Sequence, residues 1–175
     1  RHNPDCHVET YNETWQTQEL EKIIKNVDLV IDTTASAAFS LWLNQIMVLN
    51  KGSILFAAAY RRAAVGRMVL YRGDHQLNDP CLACYSMNTE SWNEGNYPII
   101  PADLTTSFEE EGCAAVTEEA DAIHIEQVAN QCALLAVKYL AGQSPSGNLF
   151  LQVNEAVPNL GNMLTETGIH ILQNP

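Results

Sequence analysis

The chain has 175 residues, of which 46% are hydrophobic and 17% charged, a composition typical of one globular domain and not of a disordered segment. Its formal net charge is −12, so nucleic acid is excluded as the expected partner. No run approaches the about 18 apolar residues of a membrane helix, so no membrane partner is expected. The cysteines are odd in number and include only one close pair, which favours reduced thiols and a cytoplasmic protein.

The first half of the chain alternates between the patterns of strands and helices. They predict, in order, an edge strand at 7–12, a helix at 17–25, a strand at 27–32, a helix at 36–50, a strand at 53–60 and a partnered strand at 64–71. The segment 27–32 is mostly apolar and β-branched and ends in an acid, as expected for a strand buried on both faces. This alternation predicts an α/β fold with parallel strands and helices packed on the sheet, to which hairpins add antiparallel strands.

The second half begins with an irregular segment at 85–112, which is rich in Asn, Gly, Pro and Ser. A connection of that length inside a domain is usually a functional loop or a disordered one. The segment 121–141 has a wide apolar stripe at helical spacing, and the segments 149–153 and 168–172 are predicted to be a closing pair of strands.

Asp32 comes directly after the strand at 27–32, in the sequence IDTTAS. In open α/β sheets the carboxyl ends of the strands form the ligand crevice, so Asp32 is a candidate for binding a nucleotide or its metal ion. An acid that only caps the following segment explains the position equally well. The chain contains neither of the two common glycine-rich phosphate-binding motifs, which disfavours a complete dinucleotide-dependent oxidoreductase.

Cys81 and Cys84 form a C-x-x-C pair in the sequence DPCLAC. Their spacing suits two of the four ligands of a structural zinc site. A redox dithiol and a pair of plain buried thiols are the alternatives. The redox alternative is weakened because the pair follows Asp-Pro at the mouth of a loop, whereas redox pairs usually open a helix just after a strand.

Cys113 follows Gly112 at the end of the irregular segment and precedes the helix at 121–141. The start of a helix favours the thiolate, whereas the neighbouring carboxylates disfavour it, so a reactive and an inert thiol both remain open. The stretch 109–126 holds seven carboxylates and no Lys or Arg. It is interpreted as a solvated surface or as a docking site for a basic partner. Cys132 lies on the apolar stripe and is predicted to be core, and Cys6 is predicted to be structural.

The ordered series of segments resembles the second half of the ThiF/MoeB/HesA family, the bacterial relatives of ubiquitin-activating enzymes. The series consists of IKNVDLVIDTTAS, LNQIMVLNKG, AAAYRRAAVGRMVLY, DPCLACY, a loop that ends in GC, and IEQVANQCALLAVKYLAG. The resemblance covers nearly all of residues 1–175. It implies the second half of a doubly wound Rossmann-like domain, and we therefore expect the chain, which begins with Arg1, to be a single partial domain.

Members of this family adenylate the C-terminal glycine of a ubiquitin-like or sulfur-carrier protein with Mg-ATP, and many then pass the acyl group to a cysteine. The resemblance thus implies that Asp32 belongs to the ATP site, that Cys113 is the transfer cysteine, and that the enzyme is a homodimer. It also implies that Cys81 and Cys84 are half of a zinc site whose second C-x-x-C pair lies beyond residue 175. Because the family's phosphate loop lies in its first half, residues 1–175 alone are predicted to be inactive with ATP.

Two departures from the family pattern stand out. The usual D-x-T-D-N becomes Asp32-Thr33-Thr34-Ala35-Ser36, so Ala35 replaces an acid that helps to hold magnesium. The arginine usually found on the next helix is absent, although Leu43-Asn44 keeps the family's "LN". The substitution at Ala35 favours the main alternative, a non-catalytic protein-binding module derived from the same fold, whereas Cys113 after a long loop favours the enzyme. A third hypothesis, half of a nicotinamide-dependent oxidoreductase, leaves the C-x-x-C pair unexplained.

Overall fold

A computed structural model describes residues 5–10, 17–34, 36–60, 63–73, 80–87, 107–109, 116–118, 121–143, 145, 147–154 and 168–172. The helices are α1 (Thr17–Ile24), α2 (Ala37–Asn50), α3 (Leu82–Met87) and α4 (Ala122–Leu140). The strands are β1 (Val30–Asp32), β2 (Ile54–Tyr60), β3 (Val65–Tyr71), β4 (Ser107–Glu109), β5 (Val116–Glu118), β6 (Leu149–Val153) and β7 (Gly168–Leu172).

The main sheet has five strands in the order β1-β2-β3-β6-β7. β1 runs parallel to β2, and each of the other neighbouring pairs is antiparallel. β4 and β5 form a separate antiparallel pair. The predicted α/β fold, with parallel and antiparallel strands and helices packed on the sheet, is confirmed, and among the described strands its parallel part consists of β1 and β2.

The helices α1, α2 and α3 contribute to the core on one face of the sheet. That core consists of Ile24, Leu43, Met47, Ile54, Phe56, Val69, Leu82, Tyr85 and Leu149. The helix α2 begins at the predicted place because Ser36, in an extended conformation, accepts a hydrogen bond from the backbone N–H of Phe39. It ends at Lys51, which takes the left-handed conformation with φ 55°.

The helix α4 covers the other face of the sheet, over β2 and β3. Its core cluster consists of Leu55, Met68, Leu70, Cys132, Ala136 and Phe150. The approach is close at Gly66, where a Cβ atom would overlap the side chain of Val128. The prediction that Cys132 is a core residue is therefore confirmed.

Several sequence expectations are corrected by the structure. Residues 7–10 of the expected edge strand are not in a strand, and the expected irregular segment 85–112 contains β4. The strand expected at 27–32 is buried on only one face, because α4 packs on β2 and β3 and leaves the side chain of Ile31 48% exposed. Among the described residues, no helix has both the length and the hydropathy required to span a bilayer.

Candidate functional site

Asp32 is the last residue of β1, and it lies beside Phe56 of the parallel strand β2. Its side chain is only 4% exposed, although it is a carboxylate. Asp32 thus occupies the carboxyl end of β1, where the parallel pairing with β2 stops, and α2 follows a few residues later. This is the position at which open α/β sheets bind ligands.

Three donors hold the Asp32 carboxylate. Its Oδ1 accepts hydrogen bonds from the backbone N–H of Thr34, at 2.9 Å, and from the Thr34 hydroxyl, at 2.8 Å. Its Oδ2 accepts a hydrogen bond from the hydroxyl of Ser40, in the second turn of α2. A carboxylate offers about four acceptor sites, so these bonds orient the group and leave capacity for one further donor or cation. Both the ligand-binding and the capping interpretations of Asp32 remain compatible with this geometry.

Cys81 and Cys84 lie at the start of α3, with their Sγ atoms 3.6 Å apart. The backbone N–H of Tyr85 donates to the carbonyl of Cys81, so the pair spans the first turn of this helix. The pair therefore lies at the start of a short helix, where the sequence argument had expected a loop, and β3, the described strand before it, ends at Tyr71. The argument that a redox pair usually opens a helix just after a strand stays a prediction. Cys84 is exposed and Cys81 is partly buried.

The sulfur separation fits two corners of a zinc tetrahedron. Two sulfurs bound to one zinc ion at about 2.3 Å each, with a tetrahedral angle between them, lie roughly 3.8 Å apart. Throughout the described part of the chain there is no group of three or more His, Cys, Asp or Glu residues that could hold a metal ion. Cys81 and Cys84 thus suit half of a closed structural site, and a redox dithiol also remains compatible with their positions.

Two buried asparagines fix the thiol pair. Asn44 of α2 donates from Nδ2 to the Sγ of Cys81 at 3.4 Å and accepts the backbone N–H of Leu82 at 3.0 Å. Asn148, just before β6, donates to the carbonyl of Pro80 and accepts the hydroxyl of Tyr85. The start of α3 is therefore tied both to α2 and to the sheet.

The two thiols differ in acidity. Partial burial raises the pKa of Cys81, but hydrogen bonds from the Asn44 side chain, from Cys84 and from the Ala83 backbone outweigh it, so the net pKa is lower than usual. Burial raises the pKa of Cys84 and the side chain of Cys81 raises it further, and together they outweigh the backbone hydrogen bonds of Cys81 and Cys84, which lower it. Cys132 has a raised pKa because it is buried among apolar side chains. Among these three thiols, Cys81 most readily forms the thiolate required of a metal ligand or nucleophile.

A protein-family model described as the ThiF family matches residues 1–167. The chain belongs to the ThiF family. This family comprises adenylating enzymes that activate ubiquitin-like or sulfur-carrier proteins. Among curated proteins, none matches the chain significantly.

Two residues of interest in this ThiF-family chain lie outside the described residues. They are Cys113, the predicted transfer cysteine, and Ala35, which stands where the resemblance expects an acid. The paired strands β4 and β5 flank residues 110–115, so Cys113 belongs to the connection between them. The structure therefore brings Asp32 close to Ser40 and Cys81 close to Asn44, while the role of Cys113 stays a prediction.

The sequence interpretation missed Asn148 entirely and treated Asn44 only as part of a family pattern. Asn44 could have been singled out, because it lies among core residues of α2, next to Leu43 and one turn from Met47. A buried asparagine on an apolar helix face requires hydrogen-bond partners. Its partners Cys81 and Leu82 are 37 and 38 residues away, and no local pattern identifies them.

Proposed function

We propose that this chain is part of an ATP-dependent enzyme that adenylates the C-terminal glycine of a ubiquitin-like or sulfur-carrier protein, and that Cys113 then accepts the acyl group. The observation that carries the proposal is the buried carboxylate of Asp32 at the carboxyl end of the parallel strand β1, in a chain of the ThiF family. Mg-ATP supplies the electrophilic α-phosphate and a good leaving group.

In this proposal Asp32 binds the Mg-ATP, and the hydroxyls of Thr34 and Ser40 keep its carboxylate in one orientation. Such preorganisation matters because a group that is already oriented requires no rearrangement during the reaction. The carrier's terminal carboxylate displaces pyrophosphate to form the acyl adenylate, and the thiolate of Cys113 then displaces AMP to form a thioester.

We further propose that the enzyme works as a homodimer in the cytoplasm. Cys81 and Cys84 would supply two thiolates to a structural zinc ion, and the remaining ligands would come from outside the described residues. The zinc would stabilise the region around α3 and take no part in the chemistry. Residues 1–175 alone are expected to be inactive, because they contain no glycine-rich phosphate-binding motif.

Pyrophosphate exchange tests the adenylation step. The full-length gene product is incubated with ATP, labelled pyrophosphate and a carrier protein that ends in Gly-Gly. Exchange should require the carrier and should fall by about 100-fold or more in Asp32→Asn, the scale observed when one preorganised electrostatic contact is removed. Asp28→Asn is the matched control, because Asp28 is an exposed acid in the same segment. Equal exchange by the Asp32 variant and the wild type would remove Asp32 from the mechanism.

The transfer step is tested separately. After incubation with ATP and the carrier, the full-length protein should form a covalent conjugate that thiol reductants cleave. Cys113→Ala should abolish this conjugate. Cys6→Ala should retain it, although Cys6 is exposed. Loss of the conjugate in both variants, or in neither, would contradict the role of Cys113.

A non-catalytic binding module is the second candidate function. It is favoured by the internal hydrogen bonds of Asp32, which are sufficient to stabilise a buried carboxylate without a ligand, and by the missing second acid at Ala35. In that case the full-length protein would bind a carrier protein, but would show no pyrophosphate exchange and no conjugate. The same two assays therefore separate the two functions.

A further inference from the structure

We propose that Asn44 is a positioning residue for the metal-binding thiol pair and acts as the hydrogen-bond donor that holds the Cys81 sulfur in its ligand orientation. The inference rests on the zinc role proposed above for Cys81 and Cys84. Asn44 lies on a different helix from the pair, its side chain is 3% exposed, and its Nδ2 is 3.4 Å from the Sγ of Cys81.

The orientation of the Asn44 carboxamide follows from its two partners. The backbone N–H of Leu82 can only donate, so the group that faces it must be the carbonyl oxygen Oδ1. The Nδ2 group is then directed at the Cys81 sulfur, which accepts. An asparagine meets both requirements at once, whereas a leucine meets neither and an aspartate meets only the first.

A donor beside a metal thiolate has two effects. It restricts the rotation of the cysteine side chain, which keeps the two sulfurs at the spacing that one zinc ion requires. It also offsets part of the negative charge on the sulfur when both cysteines are deprotonated. Groups that contact metal ligands in this way typically account for a 10–100-fold difference in metal affinity.

The position of α3 does not depend on Asn44 alone. Asn148 donates a hydrogen bond to the carbonyl of Pro80, which precedes α3, and accepts one from the hydroxyl of Tyr85, a residue of α3. The core contacts of Leu82 and Tyr85 also remain when Asn44 is replaced. A loss of metal affinity in a variant with α3 still in place would therefore arise from the missing contact with Cys81.

The experiment compares metal binding by the full-length protein and two variants. Asn44→Asp keeps the acceptor for Leu82 but removes the donor to the sulfur, and Asn44→Ala removes both contacts without adding a charge. Asn50→Asp is the matched control: the same substitution at an exposed position of α2, where the side chain donates to the Ile46 carbonyl. Zinc affinity is measured by competition with a chromophoric chelator, and folding is monitored by circular dichroism.

We expect a 10–100-fold weaker zinc affinity for both Asn44 variants and an unchanged affinity for the control. In the cobalt-substituted protein, the sulfur-to-cobalt absorption band should move to longer wavelength in the Asn44 variants, because a sulfur without its donor gives up electron density more easily. A purely structural role of Asn44 would leave that band where it is.

A third measurement uses the wild-type protein and does not depend on whether a variant folds. When the protein is loaded with an NMR-active cadmium isotope, the side-chain N–H of Asn44 should show scalar coupling to the metal through the sulfur. Unchanged affinity and spectrum in a folded Asn44 variant, or absence of this coupling, would overturn the role of Asn44 and leave the zinc site standing. Failure of the wild-type protein to bind zinc at all would overturn the zinc site itself.

Discussion

The hydrogen bond from Ser40 to Asp32 can be removed with little other change to the protein. Ser40→Ala deletes a single oxygen atom from α2, in a partly buried contact with the carboxylate at the end of β1. The variant keeps both contacts from Thr34 to Asp32. Its effect on stability therefore reports how strongly α2 is coupled to the candidate ligand-binding carboxylate.

The expected change in the free energy of unfolding on Ser40→Ala is the difference between two opposing contributions. A hydrogen bond to a charged group contributes about 1.5–3 kcal/mol to the free energy of unfolding. Alanine is a better helix former than serine by about 0.5 kcal/mol, which offsets part of the loss. Ser40→Ala should therefore lower the free energy of unfolding by about 1–2.5 kcal/mol.

Urea denaturation, followed by tryptophan fluorescence, measures this difference. Trp42 is a suitable reporter, because it lies in α2 with its ring centroid 5.4 Å from that of Phe39. A double-mutant cycle with Asp32→Asn isolates the interaction, and its coupling energy should be about 1 kcal/mol or more. Gln45→Ala, at an exposed position of the same helix, is the control and should change stability by less than about 0.5 kcal/mol.

A coupling energy near zero between Ser40 and Asp32 would refute the reasoning. It would mean that the Ser40 hydroxyl contributes nothing specific to the carboxylate and that this hydrogen bond has no energetic role. A large cost for Ser40→Ala with no coupling to Asp32 would lead to the same conclusion, since the loss would then come from packing within α2.

Three further predictions concern packing and thiol acidity. Gly66→Ala should lower the free energy of unfolding by about 1–3 kcal/mol, because the new methyl overlaps the side chain of Val128. Adding Val128→Ala to this variant should recover part of the loss. If urea denaturation shows that the effects of the two substitutions simply add, the overlap is contradicted. Gly73→Ala should lower the melting temperature more than Gly66→Ala, because its methyl meets the backbone carbonyl of Lys51, which cannot rotate away. Equal melting temperatures for the two variants would argue against the close approach of Gly73 to Lys51. In the metal-free protein, the rate of iodoacetamide labelling, resolved by mass spectrometry, should reach half its maximum at a lower pH for Cys81 than for Cys84. The reason is that a thiol with a lowered pKa forms the reactive thiolate at lower pH. The reverse order would show that burial of Cys81 outweighs its hydrogen bonds.

The regular elements were largely predictable from the sequence because their signals are local. The helical segments predicted to start at residues 36 and 121 and the predicted pair of strands β6 and β7 all agree with the structure. The position of Asp32 at a strand end was predictable for the same reason. A carboxylate at the end of an apolar, β-branched run indicates the end of a strand.

The remaining features depend on contacts between distant parts of the chain. The C-x-x-C spacing pointed to the thiol pair, but not to the helix that begins at Leu82 or to the Asn44 donor 37 residues before Cys81. The exposure of Ile31 depends on which strands α4 covers, and an apolar run cannot show that. Cys113 remains a prediction, since it lies outside the described residues.

The helix α2 carries the partners of both candidate sites on a single turn. Ser40, which contacts Asp32, and Asn44, which contacts Cys81, are four residues apart and therefore lie on the same side of the helix, with Cβ atoms roughly 5–6 Å apart. A rigid helix cannot slide or rotate at one of these contacts without disturbing the other. If the proposed zinc and Mg-ATP sites are both occupied and metal loading shifts α2, we expect nucleotide affinity to change, and nucleotide binding would then alter metal affinity by the same factor.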